Sequence, residues 1–330
     1  MERYSIALSA LVTFASACTF ANEVTELTPV ERGEYGPIDK DTSTVLYERP
    51  IQITDRVYSA IGATQPETFE NYGHNNNLTF VIGDDAVLMI NGGSNDELAA
   101  AMHEEIKAVT NLPVKYLVSE NGQRHAVGGN HYWKNQGVEL IGHVDAADEV
   151  EHYGGQYVEA TIRQRQDEDY PFTLVDFDTL MEDNLTLDLG GIDVEVRTYG
   201  PAHSPGDVSV VVPSDNLVIA GDLAFHIRMP PIFDETDTAG WVETWAVFEE
   251  EAGDMLILPG HGGLTDMATV RAGTYDYLIF LREQVQALLD EDGTLEDAYK
   301  IDQSVYAHWH TFHELAARNA GRVFTAMEFE

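Results

Sequence analysis

The sequence predicts a mixed α/β (α+β) fold, and three observations carry that expectation. Short apolar, β-branched runs alternate with amphipathic stretches in both halves of the chain. Three of these runs in the back half each bring one metal-capable side chain to a strand end: Ala202-His203-Ser204-Pro205-Gly206-Asp207, Ala220-Gly221-Asp222-Leu223 and Leu258-Pro259-Gly260-His261-Gly262. After His261 the pattern turns mostly helical. Rigid strand ends can converge side chains on one point, and imidazole with carboxylate suits zinc or iron.

Residues 1–21 read as an export signal, with Arg3 as a weak positive start, an apolar core from Ser5 to Phe14, and cleavage after Ala17 or Ala21. Cys18 is the only cysteine, so no disulfide is expected. Cleavage after Ala17 would offer it to a lipid, although periplasmic or secreted protein is the favoured outcome. Residues 22–50 are polar and aperiodic and read as an arm. Strands follow at Val57–Ile61, Leu78–Ile82 and Ala86–Ile90, the last two joined by a turn at Gly83-Asp84-Asp85. Ser94-Asn95-Asp96-Glu97 reads as a capping box opening a helix to about Thr110, with Leu98, Met102, Ile106 and Val109 on one face. Val114–Val118 and Val138–Gly142 are further strands, and Gln164–Tyr170 is a charged loop. The second half offers strands at Ile192–Tyr199, Val208–Val212, Leu217–Ala220 and Met255–Leu258, with a helix at Trp241–Ala252. Helices are expected at Thr269–Leu289, Leu295–Ile301 and Ser304 to about Met327.

Composition bounds the partners. Hydrophobic content of 44% with 10% aromatics supports a large packed core. Asp plus Glu number 57 against 18 Lys plus Arg, a formal charge of −39. That field repels nucleic acid and anionic headgroups. No stretch after the leader reaches the roughly 18 apolar residues a membrane span needs. The expected partner is a small molecule, and oligomeric state is not legible.

Upstream of the three strand-end motifs stands Ser119-Glu120-Asn121-Gly122-Gln123-Arg124-His125, followed by Ala126-Val127-Gly128-Gly129-Asn130. With them, roughly residues 50–265 resemble the metallo-β-lactamase superfamily, whose motif here reads Thr-His-x-His-x-Asp-His and then Gly-Gly. The resemblance implies a four-layer αββα sandwich over 51–265, with 266–330 as a C-terminal helical extension packed on it. It further implies a hydrolase whose metals are held by motif residues together with the equivalents of His203, Asp222 and His261. In this chain Glu replaces the first motif His, Gly122 the second and Arg124 the Asp, while His125 is kept. Asn91 stands where the family has Asp.

The altered motif leaves His125, His203, Asp222 and His261 as the expected metal ligands, with Asp222, Glu120 and Arg124 as the expected catalytic groups. Three protein ligands and water suffice for a catalytic zinc. Arg124 opposes a second ion: a unit charge about 4 Å from a dication, at an effective dielectric near 20, costs on the order of 8 kcal/mol. Its side chain must point away, pair with an acid, or stand in for a metal and grip an anionic substrate. Zinc or iron at one ion, or none, is therefore expected. On the motif alone, Arg124→Asp with Gly122→His would rebuild a second ion's ligands. Three functions compete. They are a mononuclear hydrolase of an ester, lactone, amide or thioester, an inactive relative binding a small anionic ligand, and an accessory to a partner protein. His74, in a loop that could overhang the cleft, and His226 are secondary candidates. His308, His310 and His313 read as structural.

Overall fold

The computed structural model describes residues 43–330. The leader, Cys18 and most of the polar arm lie outside those residues. One sheet has seven strands in sequence order: β1 (Ile51–Gln52), β2 (Val57–Ala60), β3 (Leu78–Ile82), β4 (Val87–Ile90), β5 (Val114–Val118), β6 (Glu139–His143) and β7 (Thr179–Met181). Pairing is antiparallel as far as β4 and parallel from β4 to β7. The other sheet runs in spatial order from β12 (Leu256–His261) through β11 (Leu217–Phe225), β10 (Ser209–Val212) and β9 (Asp193–Arg197) to β8 (Leu185–Asp188).

Both faces of the central strands are buried, which is why Val87–Ile90, Val210–Val212 and Leu217–Ala220 read as unbroken apolar runs. Val81, Leu88, Ile90, Val118 and Ile141 of the first sheet share a core with Val194, Val196, Val210, Val212 and Ile219 of the second. On the first sheet's outer face, Phe80, Met89 and Leu117 pack with Leu98, Met102 and Ile106 of α1 (Asp96–Val109) and Trp133 of α3 (Asn130–Asn135). On the far side, Val211, Val218 and Ile257 meet Trp241, Trp245 and Phe248 of α5 (Thr238–Ala252). Each such side chain contributes about 1.5–3 kcal/mol when fully buried. The layers are αββα, as expected.

The C-terminal helices enter that last core and do not merely rest on it. Tyr277, Leu281 and Val285 of α7 (Tyr275–Asp290) and Ala320, Val323 and Phe324 of α9 (Phe312–Met327) belong to the same buried cluster as β11. The expected helix at 269–289 is two: α6 (Met267–Gly273) ends at Thr274, whose buried hydroxyl accepts the Phe225 N–H at 2.8 Å and pins the break to β11. The last long helix begins at Phe312, after Thr311 in a left-handed turn at φ 62°. At α1 the cap is Asn95, accepting from Leu98 N, and Val109 is exposed.

One large element was not expected. The helix α4 (Val144–Arg165) spans 22 residues and runs into the segment read as a charged loop. It lies beside β6 and β7 and lines the cleft at the strand ends.

Candidate functional site

Strand ends deliver some of the groups, but β11 runs past the expected stop at Ala220 to Phe225, so Asp222 comes from within a strand. Glu120 and Asn121 follow β5, and His125 sits on the short helix α2 (Arg124–Val127) behind them. His203 precedes β10, and His261 closes β12. Asp222 lies within β11, just after its pairing with β12 shifts register between Ile219 and Gly221. Such irregularities re-aim a side chain. Gly221 has φ +63°, and a Cβ there would stand 2.6 Å from Glu120 Oε2, so only glycine lets these two strands bring their carboxylates together.

Asp222 is the hub. His125 Nε2 lies 3.3 Å from its Oδ2 and 3.0 Å from Glu120 Oε1. His261 Nε2 lies 3.2 Å from Asp222 Oδ1, and His203 Nδ1 lies 3.7 Å from Oδ2. Glu120, His125 and Asp222 present ligand atoms within 4.8 Å of one another, all buried, so they could hold a metal ion. Burial pushes the His203 and His261 imidazoles down to about 4. Burial also works against protonation of His125, but Asp222 and Glu120 outweigh it and leave His125 above its ordinary value. Burial, reinforced by Asp222, raises the Glu120 carboxyl.

A metal fits this donor set on an observation about protons. His261 Nδ1 faces the Asn75 carbonyl oxygen at 2.5 Å, so Nδ1 carries the ring's proton. The neutral ring then turns an Nε2 lone pair toward Asp222 Oδ1, which is buried and has no hydrogen-bond donor among the described residues. His203 differs: its Nδ1 lies toward Asp222 and accepts from Gln123 Nε2 at 3.1 Å, while its Nε2 is buried without a partner. Unpaired buried acceptors facing each other are costly, and a cation between them removes the cost.

A cavity of about 630 Å³ opens on these groups. Arg124 lines it and pairs with Glu67, with a further bond to Thr161 Oγ1 at 3.3 Å, so of its three options it takes the acid partner. Glu149 of α4 also lines the cavity. It accepts the Gly122 N–H at 3.1 Å and the Tyr157 hydroxyl at 3.4 Å. Burial and then Glu235 push its carboxyl up to about 7. Arg228 faces the histidines and depresses His261, His125 and His203. Arg322 of α9 reaches the wall as well.

Glu149, Tyr157 and Arg228 were not legible as site residues, whereas Asn75 belongs to the loop around His74 that was expected to overhang the cleft. Of the secondary candidates, His74 is buried with Nδ1 accepting from Tyr47 N, and its neighbour Asn75 lines the cavity instead. His226 is largely buried near Asp266, outside the cavity lining. His310 is bound to Thr64 and also lies outside the lining.

The family model described as the metallo-beta-lactamase superfamily matches residues 127–261, from just after the altered motif to the last strand end. A metallo-beta-lactamase from Pontibacter korlensis superposes with a TM-score of 0.56 at 16% identity, covering 69% of this chain and 97% of that one. The chain therefore shares the fold of the metallo-β-lactamase superfamily and matches its family model over that stretch. The stereoselective inverting sec-alkylsulfatase Pisa1 from Pseudomonas sp. matches with TM-score 0.66 at 16% identity over 84% of this chain. Only 50% of the sulfatase is covered, so this chain spans about half its length. The DIM-1 metallo-beta-lactamase matches with TM-score 0.54 at 13% identity, over 68% of this chain and 93% of that one. Identities this low speak to the fold alone, and function has to be argued from the site. No helix among the described residues is long and apolar enough to cross a membrane.

Proposed function

We propose that this protein is a metal-dependent hydrolase of the metallo-β-lactamase superfamily with a reduced, mononuclear site. Its substrate is a small molecule with an ester, lactone, amide or thioester bond. The observation that carries the reading is the pair His261 Nε2 and Asp222 Oδ1, buried 3.2 Å apart with no proton between them. His125, His261 and Asp222 would hold the ion, with Glu120 in place of an imidazole and His203 as the remaining donor. A bound zinc or iron ion supplies Lewis acidity and lowers the pKa of water.

The chain's own residues do the rest. The Asn75 carbonyl fixes the His261 tautomer, as outer partners of metal-binding histidines do. Glu149, titrating near neutrality at the cavity wall, can take a proton from a nucleophile or give one to a leaving group. Arg228, beside the histidines, would hold an anionic substituent of the substrate, while Glu67 neutralises Arg124. In this reading 51–265 is the hydrolase unit, and 266–330 is an extension that lends Arg322 to the cavity. The leader at 1–21 directs the protein to the periplasm or outside the cell.

Metal analysis of protein purified without chelator, then reconstituted with zinc or iron, tests the reading. About one tightly held equivalent is expected, and His261→Ala should lower metal content and any hydrolysis together. A metal-free wild type after reconstitution, with ligand binding unchanged by His261→Ala, would favour the alternative of an inactive relative that binds an anionic ligand or a partner protein.

A further inference from the structure

The two ends of the candidate metal site are tied together by a pair of buried asparagines. Asn91 follows β4 in the left-handed region at φ 67°, a conformation asparagine tolerates better than most side chains. Its Oδ1 accepts the Glu120 N–H at 3.0 Å, which fixes the orientation of the amide. The other arm, Nδ2, is directed at the Asn77 carbonyl oxygen at 3.4 Å. Asn77 in turn grips the turn around His261: its Nδ2 donates to Pro259 O and to Gly262 O, both at 2.7 Å, and its N–H to Gly260 O at 2.8 Å. Backbone at position 120 and backbone on both sides of position 261 are thus joined through two side chains. All of these groups are buried.

We propose that Asn91 is a positioning residue coupled to Glu120, and that an amide is required at position 91 because a carboxylate stands at 120. An aspartate at 91 would keep the acceptor for the Glu120 N–H. It would also turn a second anionic oxygen on the Asn77 carbonyl and add a third carboxylate to a pocket where Glu120 and Asp222 already share His125. Buried like charges of this kind are strongly disfavoured. The same lock reaches His261 through Asn77, so a disturbed Asn91 shifts two metal donors at once.

The inference rests on the metal-site reading for its consequence but not for its test. In metal-free protein, Asn91→Asp, Glu120→Gln and the double variant form a cycle read by thermal unfolding. Asn91→Asp should lower the midpoint by several degrees, and Glu120→Gln in that background should recover most of the loss, because a glutamine amide can donate to the carboxylate introduced at position 91. Additive effects overturn the proposal. Should Asn91→Asp alone fail to fold, recovery of folded protein in the double variant reads the same coupling, and its failure overturns it. With zinc as probe in a chelator competition, Asn91→Asp should weaken binding at least tenfold. Binding within twofold of wild type overturns the positioning role. A wild type that binds no zinc defeats the hydrolase reading while the unfolding cycle still decides the pair.

Discussion

Glu149 Oε2 accepts the Gly122 N–H at 3.1 Å, and the space a side chain at 122 would need is already filled. A Cβ built on Gly122 would stand 2.3 Å from Ala146 O and 2.8 Å from Glu149 Cβ. The glycine in place of a motif histidine therefore goes with a helix packed directly against it. Restoring the histidine, which the motif alone suggests would rebuild a second ion's ligands, meets α4 backbone first. Gly122→Ala should cost about 1–3 kcal/mol, the range for overpacking a close contact. Arg124→Asp with Gly122→His should lower stability without raising metal content toward two equivalents. Denaturant unfolding and metal analysis check the two halves.

Glu149 should also make stability depend on pH. Its folded value of about 7 lies above the ordinary 4.5, so the folded state keeps the proton longer than the unfolded chain does. The resulting stabilisation is complete below pH 4.5 and is lost as pH rises to 7, a change on the order of 3 kcal/mol. Metal-free wild type should lose unfolding free energy across that window, and Glu149→Gln should flatten that part of the profile. An unchanged slope in the variant would assign the pH dependence to other groups.

Arg124 and Glu67 should prove strongly coupled. Arg124 is nearly buried and Glu67 mostly so, which makes removing either partner alone worse than removing both. Arg124→Leu and Glu67→Leu singly should each cost about 3 kcal/mol or more, whereas the double variant should recover much of the loss. A double-mutant cycle by urea denaturation measures it. Additive losses would mean that Arg124 is held mainly by Thr161 and packing.

The strands were legible because buried strands of this fold are continuous apolar runs, and the αββα layering because the motifs between them resemble a known family. Such runs as Val87–Ile90 or Leu217–Ala220 leave no ambiguity about burial. His203 and His261 were legible beside the ends of such runs, and His125 and Asp222 through the resemblance of their motifs to a known metal-binding family. The helix α4 was not. Its sequence from Val144 to Arg165 is polar, carries Gly154-Gly155 at its middle, and buries only scattered positions such as Ala146, Glu149 and Thr161. Tertiary contact, not periodicity, decides that helix, and with it went Glu149 and Tyr157. The fate of Arg124 was equally hidden, because Glu67 is distant in sequence and lies in no motif. The break at Thr274 depends on a hydrogen bond to Phe225, which a local pattern cannot show.

The C-terminal extension should separate into a part that holds the fold and a part that serves the cavity. Phe324 is 2% exposed within the core shared by β11, α5 and α7, so Phe324→Ala should cost about 3–5 kcal/mol. Arg322, on the same helix, has its guanidinium 5.5 Å from the Phe233 ring, and its Nε lies 3.0 Å from the exposed Asp234. That ion pair is largely solvated and worth at most about 1 kcal/mol. Arg322→Gln should therefore leave the unfolding midpoint nearly unchanged while weakening whatever the cavity binds. Thermal unfolding of both variants, with titration of one anionic probe such as inorganic sulfate into wild type and Arg322→Gln, checks the division. Equal destabilisation by the two substitutions would make Arg322 part of the scaffold and remove it from the cavity's working surface.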